Sequence, residues 1–392
     1  MHSEYLSNIA AISGSQMILR DHPLLLACLI VFVFSFLVQA FWYIYFFLAA
    51  ARYKPVDNNK KGTPVSVIIC ARNEEENLRN FLPAVLEQDY PDFEVVVVND
   101  CSEDDSYNIL GEYLKKYPNL KVSNIIKDPK FTHNKKFAQF IGIKAAKNEL
   151  LLFTDADCKP ESKKWIAGMA SGFNDGIDFV LGYGGFFPKK GLLNKYIRYD
   201  SMMIAVQYFG MAIRGIPYMG VGRNLAYKRS LFFDRKGFGI HSHLASGDDD
   251  LFVNSNASGE NIAMEYIKES HTRSVPAPDI IKFYKQKTRH LTTASHYKPR
   301  DKIALIAEPV SRVLFYAAFL ILVTNLFMWP VVVGLFLTRV FFQFAVFILN
   351  QRRLNEPGLL PWVPVFDIAS PFINALFFAG SLREGTGRKT WK

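Results

Sequence analysis

The chain has 392 residues, half of them hydrophobic, and a mean hydropathy of +0.07. An average so near zero points to a polar part and a membrane part in one chain, while 15% aromatic residues and only 4 cysteines exclude disordered, collagen-like and disulfide-scaffold classes. The net charge of +10 admits nucleic acid, anionic lipid or acidic substrates, and its placement along the chain decides between them.

Residues 1–22 are mostly polar. Pro23 to Ala51 then carries no charged side chain and exceeds the roughly 20 apolar residues that cross a bilayer, so 23–51 reads as a retained transmembrane helix. Arg52, Lys54, Lys60 and Lys61 follow it, whereas only Arg20 and His22 precede it closely. By the positive-inside rule the block 52–302 is cytoplasmic and the N-terminus is outside.

Within that block, Val65–Ala71 is a short apolar run that suits a buried parallel strand. Asn73 with Glu76 forms a capping-box pattern opening a helix with Leu78, Leu82 and Val85 on its apolar face. Phe93–Val98 and Val122–Ile126 read as further strands, Lys135–Ala146 as a helix and Leu150–Thr154 as a fourth strand. This alternation predicts an α/β, Rossmann-like, mostly parallel sheet with right-handed crossovers. Leu192–Ile213 is amphipathic and suits either an interface helix on the inner leaflet or core packing.

The C-terminal membrane region spans 303–382. Val313 to Leu349, broken only by Arg339, is too long for one span and suits two, turning near Trp329-Pro330. Leu359 to Leu382 contains Pro361, Pro364, Asp367 and Pro371 and reads as either a third span or a re-entrant hairpin, because neighbours must satisfy the carbonyls that proline frees. Residues 383–392 form a basic tail. Cys28, Cys70, Cys101 and Cys158 show no metal-ligand spacing and read as small buried hydrophobes.

Ligands of such sheets bind at the carboxyl ends of the strands. Arg72-Asn73-Glu74, Asn99-Asp100 and Asp155-Ala156-Asp157 stand at three of those ends. Asp155 and Asp157 flank one alanine, so a short turn can aim both at one point, and two carboxylates plus substrate phosphates are a usual way to hold Mg2+ or Mn2+. Lys135 and Lys136 open the next helix within reach of phosphate. No glycine-rich phosphate loop is present, so the implied ligand is a nucleotide diphosphate held through a metal.

Those residues carry a resemblance. Val65–Ala71 with Arg72-Asn73-Glu74, Val98-Asn99-Asp100 with Cys101-Ser102-Glu103-Asp104, and Phe153-Thr154-Asp155-Ala156-Asp157 resemble the nucleotide-sugar half of family-2 glycosyltransferases with a GT-A fold. The resemblance is to the membrane-integrated members, of the cellulose synthase, poly-N-acetylglucosamine synthase and ceramide glucosyltransferase kind. It implies an inverting hexosyltransferase that moves a sugar from a UDP-sugar to a lipid-linked or polysaccharide acceptor. Asp100 would contact uracil and ribose. Asp155 and Asp157 would hold the metal and diphosphate as a DxD motif, with Ala71, Arg72, Glu74, Lys136 and Ala156 lining the nucleotide sugar.

Ser246-Gly247-Asp248-Asp249-Asp250-Leu251 resembles the family's acceptor-side acidic motif, which implies Asp248 as general base, with Asp249 as the alternative. Gln286-Lys287-Thr288-Arg289-His290 resembles the QxxRW motif, which implies that Gln286 and Arg289 meet the donor and that Arg289 stabilises the leaving diphosphate. His290 stands where the family has Trp, so acceptor stacking departs from the pattern. Gly222, Arg223 and Asn224 lie in what resembles the acceptor-facing strand.

The expected partners are a nucleotide-sugar donor, a lipid or glycan acceptor and membrane lipids, with a partner subunit or dimer as a way to complete a pore. Nucleic acid is excluded, since the basic residues are dispersed and the strand-end site is acidic. The expected location is a bacterial inner membrane with the catalytic domain in the cytoplasm. The alternative class is a silent membrane scaffold or sensor that binds nucleotide sugars without turnover.

Overall fold

The computed structural model describes residues 22–55, 62–126, 134–239, 244 and 246–384. The segment 1–21, Lys60, Lys61 and the tail from 385 onward lie outside the described residues.

Helix α1 runs from Pro23–Arg52 and includes a π-helical stretch at Trp42–Phe47. There follow β1 (Val65–Ala71), α2 (Glu75–Leu86), β2 (Phe93–Asp100), α3 (Ser106–Lys116), β3 (Leu120–Ile125), α4 (Lys135–Ala145) and β4 (Leu150–Asp155). Next come β5 (Cys158–Pro160), α5 (Trp165–Ser171), β6 (Phe179–Gly182), β7 (Gly184–Phe186), α6 (Leu192–Ile213), β8 (Leu225–Lys228) and α7 (Arg229–Asp234). The chain continues through α8 (Asp250–Asn256), β9 (Ile262–Glu265), β10 (Thr272–Ser274) and α9 (Ile280–Leu291). It ends with α10 (Pro299–Thr324), α11 (Trp329–Arg353) and α12 (Val363–Glu384).

The main sheet has the order β3-β2-β1-β4-β8-β6-β9. Its pairs are parallel except that β8 runs antiparallel to both β4 and β6. Every residue of β1 is buried, as expected where helices cover both faces of a parallel strand. β2 and β4 end on Asp100 and Asp155, so these acids are the last residues of their strands. A second sheet, β5-β10-β7, pairs Ser274 with Cys158 and so brings β10 beside the turn after β4.

The capping box at Asn73 does not form. Helix α2 begins at Glu75, and Asn73 takes the left-handed conformation at φ 53°. Its cap comes from the loop after β2: Glu74 N donates to Ser106 Oγ (3.1 Å), Glu75 N to Asp104 Oδ2 (3.0 Å), and Glu103 N to Asn73 Oδ1 (2.8 Å). Two strand-end loops are thereby tied together. Those orphan N–H groups need acceptors, and the neighbouring loop supplies them better than Asn73 can.

Four helices are long and apolar enough to cross a membrane: Pro23–Arg52, Pro299–Thr324, Trp329–Arg353 and Leu360–Arg383. Helix α10 starts well before Val313 and carries Glu308 and Arg312 inward. The last stretch is one continuous helix through Pro371, with no turn to make a hairpin. The carbonyl of Asp367, which Pro371 frees, accepts from Arg312 Nη1 at 3.3 Å. Arg339 lies within 2.7 Å of Asp367, and Arg312 within 3.4 Å of it. Gln39 of α1 accepts from Arg339 (3.1 Å) and donates to Ser311 (2.8 Å). The charges in this layer therefore compensate one another across α10, α11 and α12, with the Gln39 amide of α1 hydrogen-bonded into them.

Helix α6 packs as core rather than lying free. Tyr196, Tyr199, Met202 and Tyr208 are buried, and the helix packs against α1 and α12. Beyond α11, Glu356 is fully buried and meets Arg198 of α6 (2.7 Å), Tyr183 Oη (2.8 Å) and Arg273 of β10. This anchor joins the α/β domain to the membrane-seeking helices.

Candidate active site

The strand ends gather the acids. Asp155, at the end of β4, lies 2.8 Å from the Lys135 ammonium, and Asp248 lies 3.3 Å from the same group. One lysine thus bridges the acid at the end of β4 and an acid just before α8. Burial opposes its charge, but Asp155, Asp248 and Asp249 hold Lys135 protonated well above the ordinary lysine range. Burial also works against the Asp155 charge, yet Lys135, with Arg223 and Arg289 adding to it, keeps that carboxyl below its usual range.

Asp157 differs: the Arg223 charge favours its ionised form but does not prevail. It accepts from Ser274 Oγ (3.0 Å) and Cys158 Sγ (3.5 Å), and burial together with the Asp155 charge pushes its pKa up. One donor atom each from Asp155, Asp157 and Cys158 lie within 4.8 Å of one another. A cation with oxygen arms of about 2.0–2.6 Å can bridge carboxylates so spaced. A buried pair of acids, one held ionised and one pushed toward its neutral form, is short of positive charge and fits a divalent ion. Cys158, which by spacing alone is a small buried hydrophobe, is also the third member of this donor group.

The three consecutive aspartates separate by partner. Asp248 is buried and faces Lys135. Asp249 accepts from Gly222 N (2.6 Å) and, as N-cap of α8, from Asp250 N (2.8 Å). Burial and the flanking charges of Asp248 and Asp250 raise its pKa to about 7. Asp250 accepts from Tyr297 Oη (2.7 Å) and from the Thr293 hydroxyl, which fastens α8 to the segment after α9.

The other expected residues divide. Ala71 and Ala156 are buried at their strand ends, and Asp100 has no exposed surface. Arg72 has two guanidinium nitrogens, Nε and Nη1, that are buried without a hydrogen-bond partner. Glu74 is buried and braced by Asn77. Lys136 departs from the expected geometry: its ammonium donates to the Leu244 carbonyl (3.2 Å) in the segment before α8, and Lys135 is the lysine at Asp155. Successive residues of a helix point about 100° apart, so only one can face the strand ends.

Gly222 holds Asp249, and the Arg223 guanidinium stacks over Phe186 at 4.2 Å, with Nη1 buried and unpartnered. Asn224 is a correction. It is fully buried, accepts from Trp165 Nε1 (2.9 Å), and donates to the carbonyls of Tyr183 (3.0 Å) and Ser270 (2.7 Å). Its amide is spent inside the core and has nothing left for an acceptor.

Helix α9 carries Gln286 and Arg289 half-buried and His290 exposed. Arg289 is near enough for its charge to lower Asp155. The helix rests on α12, where Gly380 allows the approach: a Cβ there would fall 2.0 Å from the Tyr284 hydroxyl. Sequence reasoning missed Ser274 at Asp157 and the bridging position of Lys135. Only strand pairing and helix rotation create those contacts.

Residues 66–233 match the family described as Glycosyl transferase family 2. The chain is 34% identical over 140 residues to Glycosyltransferase AglE of Haloferax volcanii, covering 35% of this chain and 44% of that protein. It is 36% identical over 107 residues to the probable glycosyltransferase YdaM of Bacillus subtilis (27% and 25%). It is 37% identical over 97 residues to the poly(ribitol-phosphate) beta-N-acetylglucosaminyltransferase TarS of Staphylococcus aureus (24% and 16%). The chain spans less than half the length of each of these curated relatives. Among solved structures, the mannosyltransferase PcManGT from Pyrobaculum calidifontis, in complex with GDP-Man and Mn2+, matches with a TM-score of 0.58 at 17% identity, covering 93% of this chain and 99% of that one. At that identity the likeness is one of fold.

Proposed function

Because residues 66–233 form a glycosyl transferase family 2 domain on a GT-A fold, we propose that the protein is an inverting, metal-dependent hexosyltransferase. It moves a sugar from a UDP-sugar to a lipid-linked or polysaccharide acceptor at the membrane. The observation that carries this reading is the meeting of Asp155, Asp248 and Asp249 around Lys135 at the strand ends, with Asp157 beside Asp155.

Asp100 and the β1 end (Ala71, Arg72, Glu74) take the nucleoside, and the unpartnered Arg72 nitrogens suit an anionic ligand. Asp155 and Asp157 would hold Mg2+ or Mn2+, and Ala156 and Gln286 would line the diphosphate. The ion, when bound, offsets negative charge on the departing diphosphate. Arg289 adds positive charge on the same side. Asp248 accepts the proton of the acceptor hydroxyl as that oxygen attacks the anomeric carbon. The C–O bond to the diphosphate breaks with its electron pair, and the configuration inverts. Asp249 is the second candidate for base: its carboxyl titrates near 7, the range in which a general base works best.

Gly222, Arg223 and His290 face the acceptor. The four long apolar helices and the basic residues after α1 support an inner-membrane protein with its α/β domain in the cytoplasm. The direct test offers radiolabelled UDP-sugars to membranes carrying the protein and sorts products into lipid and polymer fractions. Label in either fraction, lost on EDTA treatment and restored by Mn2+, supports the reading. No transfer from any donor contradicts it.

A further inference from the structure

The Lys135 ammonium stands at the centre of the acidic site, 2.8 Å from Asp155 and 3.3 Å from Asp248. We propose that Lys135 is a tethered cation that competes with the divalent ion for Asp155, and that donor binding hands its ammonium over to Asp248. This rests on the reading of Asp155 as a metal ligand.

Three observations support it. Lys135 is the first residue of α4, with a second lysine after it and no acid in the first turn. That is the positive end of the helix dipole, where a cation is disfavoured unless carboxylates hold it. Lys135 is therefore placed for the acids and not for its own helix. Next, Lys135 contacts Asp155, whereas Asp157 accepts from the Ser274 hydroxyl and the Cys158 thiol. The ammonium thus covers one member of the pair, and a divalent ion that bridges both must displace it from that member. Finally, an ammonium in hydrogen-bond contact with the Asp155 oxygen occupies space that a cation on the same oxygen needs, and the two positive charges repel at that range. Asp248 is already within reach, so side-chain rotation alone completes the transfer.

The consequence is a coupling between the two halves of the site. Arrival of metal and donor moves one positive charge from the donor-side acid to the acceptor-side acid. Lys135 thereby acts as a positioning residue for Asp248.

The experiment measures Mn2+ binding to the full chain in detergent, by the electron paramagnetic resonance signal of free Mn2+, with and without UDP. Removing the competing charge in Lys135→Met should tighten Mn2+ binding by roughly tenfold, the order of effect of one nearby like charge. Lys135→Arg, which keeps the charge, should stay close to wild type. Size-exclusion and circular dichroism profiles establish that each variant is folded, and Lys135→Gln serves if the Met variant is not. Mn2+ binding by wild type that is unchanged or weakened in the neutral variants overturns the competition alone. Absence of Mn2+ binding from wild type and variants sinks the metal assignment itself, and the competition with it.

Discussion

Asp248, Asp249 and Asp250 are chemically identical and adjacent, yet each is given a different environment. Asp250 is tied to Thr293 and Tyr297, so Asp250→Ala leaves the buried Tyr297 hydroxyl without its acceptor, while Thr293 keeps the His290 carbonyl. A loss of about 2–3 kcal/mol is expected, read as a lowered thermal midpoint in detergent. Asp249 is raised to about 7, so it is neutral below that pH and ionised above it. If Asp249 is the base, transfer rises about tenfold per pH unit below 7, levels off above, and Asp249→Asn is inactive. If Asp248 is the base, Asp249→Asn keeps transfer and flattens the profile near 7. The sequence placed these acids at the site because they follow strands or precede a helix. It could not separate their roles, since those depend on Lys135, Gly222 and Tyr297, which are distant in the chain.

At the scale of elements, buried apolar runs made β1, β2 and β4 legible, and their ends held the acids. The antiparallel insertion of β8 was not legible, because a four-residue strand carries no direction in its composition. The same strand explains Asn224. It stands just before β8, looks like an acceptor contact in sequence, and is instead a cross-link to Trp165, Tyr183 and Ser270. Asn224→Ala should cost about 2–4 kcal/mol by removing the partner of the buried Trp165 N–H and of the Ser270 carbonyl, while the Tyr183 carbonyl keeps Thr272 N. A variant with unchanged thermal stability but lost transfer would restore the acceptor role. The early start of α10 was hidden for a related reason. Glu308 and Arg312 look too polar for a membrane helix until Asp367 and Ser370 of α12 are seen to meet Arg312.

At the scale of the molecule, the near-zero mean hydropathy is the sum of an acidic strand-end site and four apolar helices with a charged seam between them. Asp367 is the hinge of that seam, facing both Arg339 and Arg312. Asp367→Ala leaves the buried Arg339 guanidinium without its carboxylate, while Arg312 keeps Glu308, and a destabilisation of about 3–5 kcal/mol is expected in a detergent thermal melt. An Asp367→Ala, Arg339→Ala double variant should recover part of it. On the proposed reading, the excess of basic residues orients the chain and feeds the site, and the scarcer acids carry the chemistry. That claim is tested most directly by assaying Asp248→Asn for both donor binding and sugar transfer in one preparation. The account predicts UDP-sugar binding within about twofold of wild type and transfer reduced by about a thousandfold or more. Transfer by Asp248→Asn at the wild-type rate would contradict it.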